Sequence, residues 1–401
     1  MKVLQINSSV NSGSTGRIAE EIGNTLLNEG HQSVIAYGRA GMPSASQSIR
    51  IGGQLDIIEH VLLTKLFDRH GFGSKRATKA FVHSLDEVDI VHLHNIHGYY
   101  LHVGELFGWL KETQKPVIWT LHDCWAFTGH CTFFDSVGCE KWQTECHHCP
   151  KTKFYPASLG VDNSRSNYQV KKALFSGVRN MTIVTPSKWL QLHLKHSFLR
   201  DYPSQVIPNG IDVELFSPKD AKVLRNKLGT ANKKVILGVA STWDKRKGLA
   251  DFKSLGKTLD SSWQIILVGL SKKDAGDLPS DILAIPRTES VSELATYYSL
   301  ADVFVNPTWQ DNFPTTNLEA LACGTPVITY RTGGSPEAVD NQTGRVVEKG
   351  DIDALKSAIN EVLATGKVDF SANCVKSARA LFNKKDRFTD YVKLYNNIVC
   401  E

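Results

Sequence analysis

The chain has 401 residues, with 46 Lys and Arg against 41 Asp and Glu and a formal net charge of +5. Hydrophobic residues make up 41% and charged residues 22%, the balance of a soluble globular protein with enough chain for two or three domains. So mild a charge does not point to nucleic acid, no run of about 18 apolar residues offers a membrane span, and the opening MKVLQINSSVNSGSTG lacks the apolar core of a signal peptide. The expected location is the cytoplasm, where the eight cysteines stay reduced or bind metal rather than pair.

In chain order, strand-like segments are expected at Val3–Ile6, Ser33–Tyr37, Ile90–His94, Val117–Leu121 and Thr182–Thr185, with helices such as Ile18–Asn28, Leu101–Lys111 and Lys188–His196 between them. A second series follows at Val235–Val239, Gln264–Val268, Ile282–Ile285, Val303–Asn306 and Pro326–Thr329. Strand and helix alternating twice over predicts an α/β protein of two doubly wound domains. The boundary falls at VIPNGID, giving domains 1–205, with a Cys-rich insert at 124–155, and 206–375. Residues 376–401 read as a final helix that packs back across both domains. A cleft between the carboxyl ends of the two sets of strands is the expected ligand site.

The most informative stretch is Asn306–Ile328, NPTWQDNFPTTNLEALACGTPVI, in which seven residues separate Asp311 from Glu319. Pro314 suits the first helical position, since its missing N–H would be unpaired there. The N–H groups of Thr315 and Thr316 would then face a phosphate, and the two acids would hold flanking hydroxyls. The competing reading is an ordinary αβ unit with a surface acid. Lys245-Arg246-Lys247-Gly248 follows strand Val235–Val239 and places three cations where they could clamp a diphosphate; a solvated loop is the alternative. Asn11–Arg17, NSGSTGR, is a weaker phosphate loop, with Gly13 and Gly16 permitting close backbone approach. His92 and His94 alternate along one strand and share a face; with His97 they read as core or cleft hydrogen-bonding residues rather than metal ligands. His122 ends an apolar strand at the rim of the expected cleft and reads as a ligand contact.

Together these features resemble the family 4 retaining glycosyltransferases, over essentially the whole chain. The landmarks are Gly13–Arg17, Thr120–Asp123, Val206–Asp212, Lys247-Gly248 and Asp311–Pro326. The resemblance implies the GT-B fold, two Rossmann-like domains facing across a cleft, the first taking the acceptor and the second the nucleotide-sugar. It implies catalytic or donor roles for His122, Asp311, Glu319 and Lys247: Glu319 on the ribose hydroxyls, Asp311 near the donor sugar, Lys247 on the diphosphate and His122 on the donor sugar. Gly16, Arg246, Asn312, Phe313, Pro314, Thr315 and Thr316 complete the implied donor site. Asp311 stands where the family usually has glutamate. Ser241 stands where it tends to have arginine, a cation that Arg246 or Lys245 would replace. The implied reaction moves a sugar from a nucleoside-diphosphate sugar to a saccharide or polyprenyl-linked oligosaccharide acceptor, in bacterial exopolysaccharide, capsule or O-antigen synthesis. With no paired carboxylates for double displacement, front-face departure of the diphosphate is expected. No Asp-x-Asp stands at a strand end, so no cofactor is expected for catalysis. A nucleotide-sugar epimerase, a sugar phosphorylase or an inactive binding module on the same fold are the rival readings.

Two segments stand outside this scheme. Cys131, Cys139, Cys146 and Cys149 have the ligand count of a structural zinc site, with two disulfides or free thiols as alternatives and His130, His147 and His148 as substitute ligands. From Ile57 to Phe81, Val61, Leu62, Leu66, Phe67, Phe72 and Phe81 mix with Lys65, Arg69, Lys75, Arg76 and Lys79. That pattern suits either a solvated helix face or peripheral contact with the inner face of the plasma membrane.

Overall fold

The computed structural model of the protein describes residues 1–271, 276, 278–279 and 281–400. Two compact units are present: Met1–Pro208 together with the chain from Arg387 onward, and Asn209–Asp386.

The first unit is built on strands β1 (Lys2–Asn7), β2 (Gln32–Tyr37), β3 (Gln47–Arg50), β4 (Ile90–Leu93), β5 (Val117–Thr120), β6 (Met181–Thr185) and β7 (Ser204–Val206). They form one sheet in the order β3-β2-β1-β4-β5-β6-β7, and every pairing is parallel. Parallel strands need crossover helices that cover both faces, so the central strands are buried throughout rather than on alternate residues. All four residues of both β4 and β5 are accordingly buried. The crossovers are α1 (Gly13–Asn28), α2 (Gln54–Phe67), α3 (Lys75–His83), α4 (Val103–Thr113), α5 (Ser164–Phe175) and α6 (Lys188–Lys195).

The second unit repeats the plan with β8 (Lys234–Val239), β9 (Trp263–Val268), β10 (Ile282–Ile285), β11 (Val303–Asn306), β12 (Val327–Tyr330) and β13 (Gly344–Val347). Their order is β10-β9-β8-β11-β12-β13, again parallel throughout. Its helices are α7 (Lys222–Lys227), α8 (Leu249–Gly256), α9 (Val291–Leu300), α10 (Thr315–Ala322), α11 (Ile352–Thr365) and α12 (Lys367–Leu381). In each sheet the winding reverses direction, between β1 and β4 and between β8 and β11. Loops diverge at such a switch point and leave a crevice beyond the carboxyl ends of the strands.

The final helix expected over 376–401 is parts of two helices, α12 and α13 (Lys384–Cys400). Between them Phe382 and Asn383 leave the helical path because their backbone is used elsewhere. Ile211 donates its N–H to the Phe382 carbonyl at 2.8 Å, and Lys384 donates to the Ile211 carbonyl at 2.8 Å. Beyond this bridge Phe388, Tyr391, Val392 and Tyr395 bury themselves with Val3, Ile18, Ile90, Ile118 and Val184. This closes one face of the first sheet.

That closed face contains a histidine. His92 is fully buried, with Nδ1 2.6 Å from the Tyr395 hydroxyl and Nε2 2.8 Å from Thr120 Oγ1. Burial, reinforced by the neighbouring His122, pushes its pKa down to about 3; burial also holds His94 well below the ordinary value. Both are neutral in the fold, whereas the unfolded chain protonates them below about pH 6.5. The unfolded state then binds more protons, so stability is intact above that pH and is lost as pH falls. Each histidine adds a slope of about 1.4 kcal/mol per pH unit. Urea unfolding between pH 7 and 5 checks this: His92→Gln should flatten the slope by one histidine's share, and an unchanged slope would contradict the assignment.

Candidate active site

The switch point of the second sheet gathers most of the residues expected to hold a donor. Lys245–Lys247 forms a single 3-10 turn after β8, capped by Asp244, which accepts from the Arg246 N–H. The Arg246 carbonyl in turn accepts from the Trp309 N–H at 2.7 Å and from Thr308 Oγ1 at 3.1 Å, tying this turn to the loop after β11. The two loops are thus registered side by side, and Lys247 Nζ reaches Asp311 Oδ2 at 2.6 Å. The pair is partly exposed, so its contribution to stability is at most about 1 kcal/mol. The ammonium keeps two further donors. Arg246 is turned aside, its guanidinium 3.0 Å from Asp244.

Asp311 is held from behind as well. Its Oδ1 accepts from the Asn312 N–H at 2.9 Å, and the Asn312 carbonyl accepts from Gly334 N–H at 2.7 Å. Gly333 has φ +56°, and a Cβ there would lie 1.8 Å from the Asp311 carbonyl oxygen. Only glycine lets the chain pass so close.

Helix α10 begins at Thr315, not at Pro314. Pro314 has φ −69° and ψ 119° and stands just before the helix, because this extended ψ carries the chain from the Asp311 loop into the first turn. Thr315 and Thr316 occupy that turn, partly exposed, where N–H groups have no acceptor within the helix. Phe313 is buried, and its carbonyl accepts from Asn209 Nδ2 at 3.0 Å, which explains the VIPNGID motif as a strut. Glu319 sits on the second turn and accepts from the Tyr298 hydroxyl at 2.8 Å. Burial and the adjacent carboxylate raise the Tyr298 pKa well above normal, so it remains a donor and orients Glu319.

Sequence reasoning missed the network that fixes α10. Asn317, fully buried, accepts from Asn306 Nδ2 at 2.7 Å and donates to Ser335 Oγ at 3.0 Å. Thr329 Oγ1 lies 2.6 Å from Ser335 Oγ and 3.1 Å from the Asn306 carbonyl. The two asparagines lie at polar positions within the Asn306–Ile328 motif and were findable. Tyr298, Thr329 and Ser335 carry no local signal.

In the first unit, residues at the ends of β1, β4 and β5 converge. Asn7 donates to the Ser9 carbonyl at 2.8 Å and accepts from the Asn95 N–H at 3.2 Å. Gly16 lies within α1 rather than in the preceding loop, because the helix starts at Gly13; a Cβ on Gly16 would stand 2.8 Å from Ser9 Oγ. Gln5 donates through Nε2 to the Ala19 carbonyl at 2.9 Å, so its Oε1 accepts from His94 Nε2 at 3.0 Å. Neutral His94 then offers Nδ1 as an acceptor, and His122 donates to it through Nε2 at 3.2 Å. Burial lowers the His122 pKa to about 4, so this histidine is uncharged at neutral pH.

Beside it His97, read from the sequence with His92 and His94 as a core or cleft hydrogen-bonding residue, joins a chain of its own. Its Nε2 lies 2.9 Å from Asp123 Oδ2 and its Nδ1 3.1 Å from the Tyr155 hydroxyl. Asp123 also accepts from the Trp125 N–H at 2.9 Å. Burial pushes the Asp123 carboxyl up, but the charge and hydrogen bond of His97 hold it below its usual value.

Cys131, Cys139, Cys146 and Cys149 line one cavity and are unpaired. Among the described residues, no three His, Cys, Asp or Glu side chains stand ready to hold a metal.

The family models agree with this geometry. Residues 15–215 match Glycosyltransferase Family 4, and residues 233–365 match Glycosyl transferases group 1. WcaC of Escherichia coli (strain K12), named as a colanic acid biosynthesis glycosyl transferase, is 24% identical across 99% of this chain and 100% of its own length. A D-inositol 3-phosphate glycosyltransferase of Geodermatophilus obscurus is 33% identical over 40% of each chain. Among solved structures, sucrose-phosphate synthase from Thermosynechococcus elongatus superposes with a TM-score of 0.74 at 21% identity, covering 100% of this chain and 99% of that one. Anabaena HepE in complex with UDP superposes with a TM-score of 0.70 at 14% identity, covering 99% and 100%. With one family model spanning half of the chain, and with the fold of these neighbours, the protein belongs to glycosyltransferase family 4 and has the GT-B fold.

Proposed function

We propose that the enzyme transfers a sugar from a nucleoside-diphosphate sugar to an acceptor hydroxyl, with retention, during assembly of a bacterial surface polysaccharide. The observation that carries this reading is the grouping at the switch point of the second sheet. There a helix N-terminus, the Lys247–Asp311 pair and the tyrosine-oriented Glu319 stand on loops fixed by buried hydrogen bonds. Thr315 and Thr316 N–H groups and Lys247 would bind the diphosphate, Glu319 the ribose hydroxyls, and Asp311 the donor sugar. As the glycosidic bond breaks, negative charge grows on the leaving phosphate, where the helix terminus and Lys247 stabilise it. The departing phosphate oxygen would take the acceptor's proton on the same face. No residue then needs to act as nucleophile, and rate comes from placement and charge. Neutral His122 would accept or donate a hydrogen bond at the sugar without competing for the phosphate. Relatives support the donor class: HepE was solved with UDP-glucose, and a Corynebacterium glutamicum relative is named as GDP-mannose-dependent. The pathway rests on WcaC, and on the fold neighbour WaaG, described as involved in lipopolysaccharide biosynthesis.

The acceptor would be reached at a membrane surface. Among the described residues no helix is long and apolar enough to cross a membrane, but α2 is inside out. Its buried residues are His60 and Thr64, held by hydrogen bonds to Ser74, Gly71 and the helix backbone. Leu55, Ile58, Leu62, Leu66 and Phe67 face solvent, Leu55 at 81% exposure. Leu159, 76% exposed, is joined to this helix by its N–H to the Lys65 carbonyl at 2.8 Å. Exposed Lys65, Lys75 and Arg76 stand close in sequence. Of the apolar residues expected in this segment, Phe81 is buried in the core and Phe72 packs partly against it; the others leave the contact face to α2. An apolar stripe with flanking cations suits an anionic leaflet, which would place a polyprenyl-linked acceptor beside the enzyme.

Thermal shift with UDP, GDP, ADP and their sugars tests the donor site. One nucleotide should stabilise the protein by about 2.7 kcal/mol at a hundredfold excess over its Kd. Glu319→Ala should remove that shift together with transfer. Lys247→Ala should slow transfer by about 10²-fold or more, and His122→Ala should slow it while keeping the nucleotide shift. Conversion of the sugar without any acceptor, or formation of a sugar phosphate from inorganic phosphate, would replace this reading with an epimerase or a phosphorylase.

Flotation with vesicles tests the surface. Vesicles rich in phosphatidylglycerol should carry the protein, and Leu55→Ser with Leu62→Ser and Leu66→Ser should release it without lowering its melting temperature. Equal binding by the triple variant would remove α2 from the proposal.

A further inference from the structure

We infer that Arg39 and Tyr155 form the site for the head of the acceptor: the guanidinium takes the diphosphate of a lipid-linked sugar, and the tyrosine takes the sugar itself. The inference rests on the transferase reading above and assigns residues of the first unit to its acceptor.

Arg39 follows β2, where its N–H donates to the Ser8 carbonyl at 2.9 Å and fixes the backbone beside the end of β1. Its side chain is exposed and among the described residues forms no ion pair. The guanidinium carbon lies instead over the Tyr99 ring, 5.7 Å from its centre. A cation resting on a ring is held in place without being neutralised, so its charge remains available to an anion. Phosphate suits the planar fork of an arginine.

Tyr99 is held in a strained backbone. Its φ is +68°, a left-handed conformation that a bulky side chain rarely adopts, and residues held that way collect at functional sites. The surroundings enforce it. His60 and His70 meet the ring edge-on at 5.9 and 4.9 Å. The next residue, Tyr100, is buried with its hydroxyl on the Asn95 carbonyl at 2.9 Å. His60 belongs to the inner side of α2, whose outer side carries the exposed leucines. Arg39 is therefore one tyrosine away from the helix proposed to meet the leaflet.

Tyr155 makes a corner with Tyr99, its ring 5.8 Å away at 83°. The residue is 43% exposed, but its hydroxyl lies 3.1 Å from His97 Nδ1. The direction of that bond follows from the far nitrogen. Asp123 Oδ2 stands 2.9 Å from His97 Nε2, and a carboxylate only accepts. Nε2 therefore carries the proton, Nδ1 of the neutral ring accepts, and Tyr155 donates. Its oxygen keeps a lone pair for a sugar hydroxyl, while the exposed ring gives the sugar's C–H face an apolar wall. His97 and Asp123 line one cavity with His122, so a sugar held at Tyr155 stands near the histidine assigned above to the donor sugar.

The test is calorimetric binding of three synthetic probes to the full chain in detergent micelles: phenoxyundecyl diphosphate-glucose, the same lipid diphosphate without sugar, and phenoxyundecyl glucoside without phosphate. The first should bind about tenfold more tightly than the glucoside, and Arg39→Gln should abolish that preference. The first should also bind more tightly than the sugar-free diphosphate. Tyr155→Phe should erase this gain and keep the preference for phosphate; an unchanged gain removes the tyrosine from the site. Should either variant fail to fold, chemical protection of the unaltered protein decides. The sugar-bearing diphosphate should shield Arg39 from phenylglyoxal and Tyr155 from nitration, and absence of shielding overturns the site. Equal binding of all three probes by the unaltered protein would also overturn it. If a nucleotide still raises the melting temperature in that case, the transferase reading stands; if none does, both fall. Loss of phosphatidylglycerol vesicle binding in Arg39→Gln, with its probe preference intact, would give the guanidinium to leaflet headgroups and overturn its assignment here.

Discussion

Everything proposed for the donor site depends on one buried amide. Asn317 lies on the inner side of α10, with its oxygen on Asn306 at the end of β11 and its nitrogen on Ser335 in the turn after β12. Such a group costs about 1–3 kcal/mol if left unpaired, so it tolerates one position of the helix and few others. The outer side of the same helix carries Thr315, Thr316 and Glu319, so the buried amide determines where they point. The Asp311 loop is pinned to the same two strand ends through Gly333 and Gly334. A rigid base beneath a solvent-facing polar cluster is what electrostatic catalysis needs, since dipoles already in place need not reorganise as charge develops.

The first unit uses another device for the same end. Gln5, His94 and His122 form a chain whose direction is dictated by the Ala19 carbonyl at its far end. The carbonyl can only accept, so every donor in the chain points one way and the tautomer of His122 follows. Burial keeps the rings neutral, and neutrality is what makes a tautomer meaningful. The cost is carried by stability at low pH.

Helix α2 reverses the ordinary order of things. A surface helix normally buries its apolar stripe, whereas this one buries His60 and Thr64 and presents leucines. The inversion is affordable only because Ser74, Gly71 and the helix backbone satisfy the buried polar atoms. Leaving that apolar face outward has a use only if something other than water meets it.

Much of this was legible in the sequence because it depends on local chemistry. The apolar runs of both sheets, the helix start near Pro314, the Asp311–Glu319 spacing, the cations after β8 and the boundary at VIPNGID are written in short stretches, where period and turn residues suffice. The break at Phe382–Asn383 was not, since nothing local interrupts the helix; only the distant backbone of Ile211 does. Nor could sequence separate His97 from His92 and His94. Three similar residues on one strand and the loop beyond it acquire different partners, Asp123 with Tyr155 in one case, Tyr395 with Thr120 in another, Gln5 in the third. The sequence by itself thus determined two parallel sheets and the residue types at their ends, because periodicity and turns act over a few residues. Which of those residues meet was decided by tertiary structure alone, because a hydrogen bond between positions 28, 79 or 303 residues apart exists only after the sheets have brought them together.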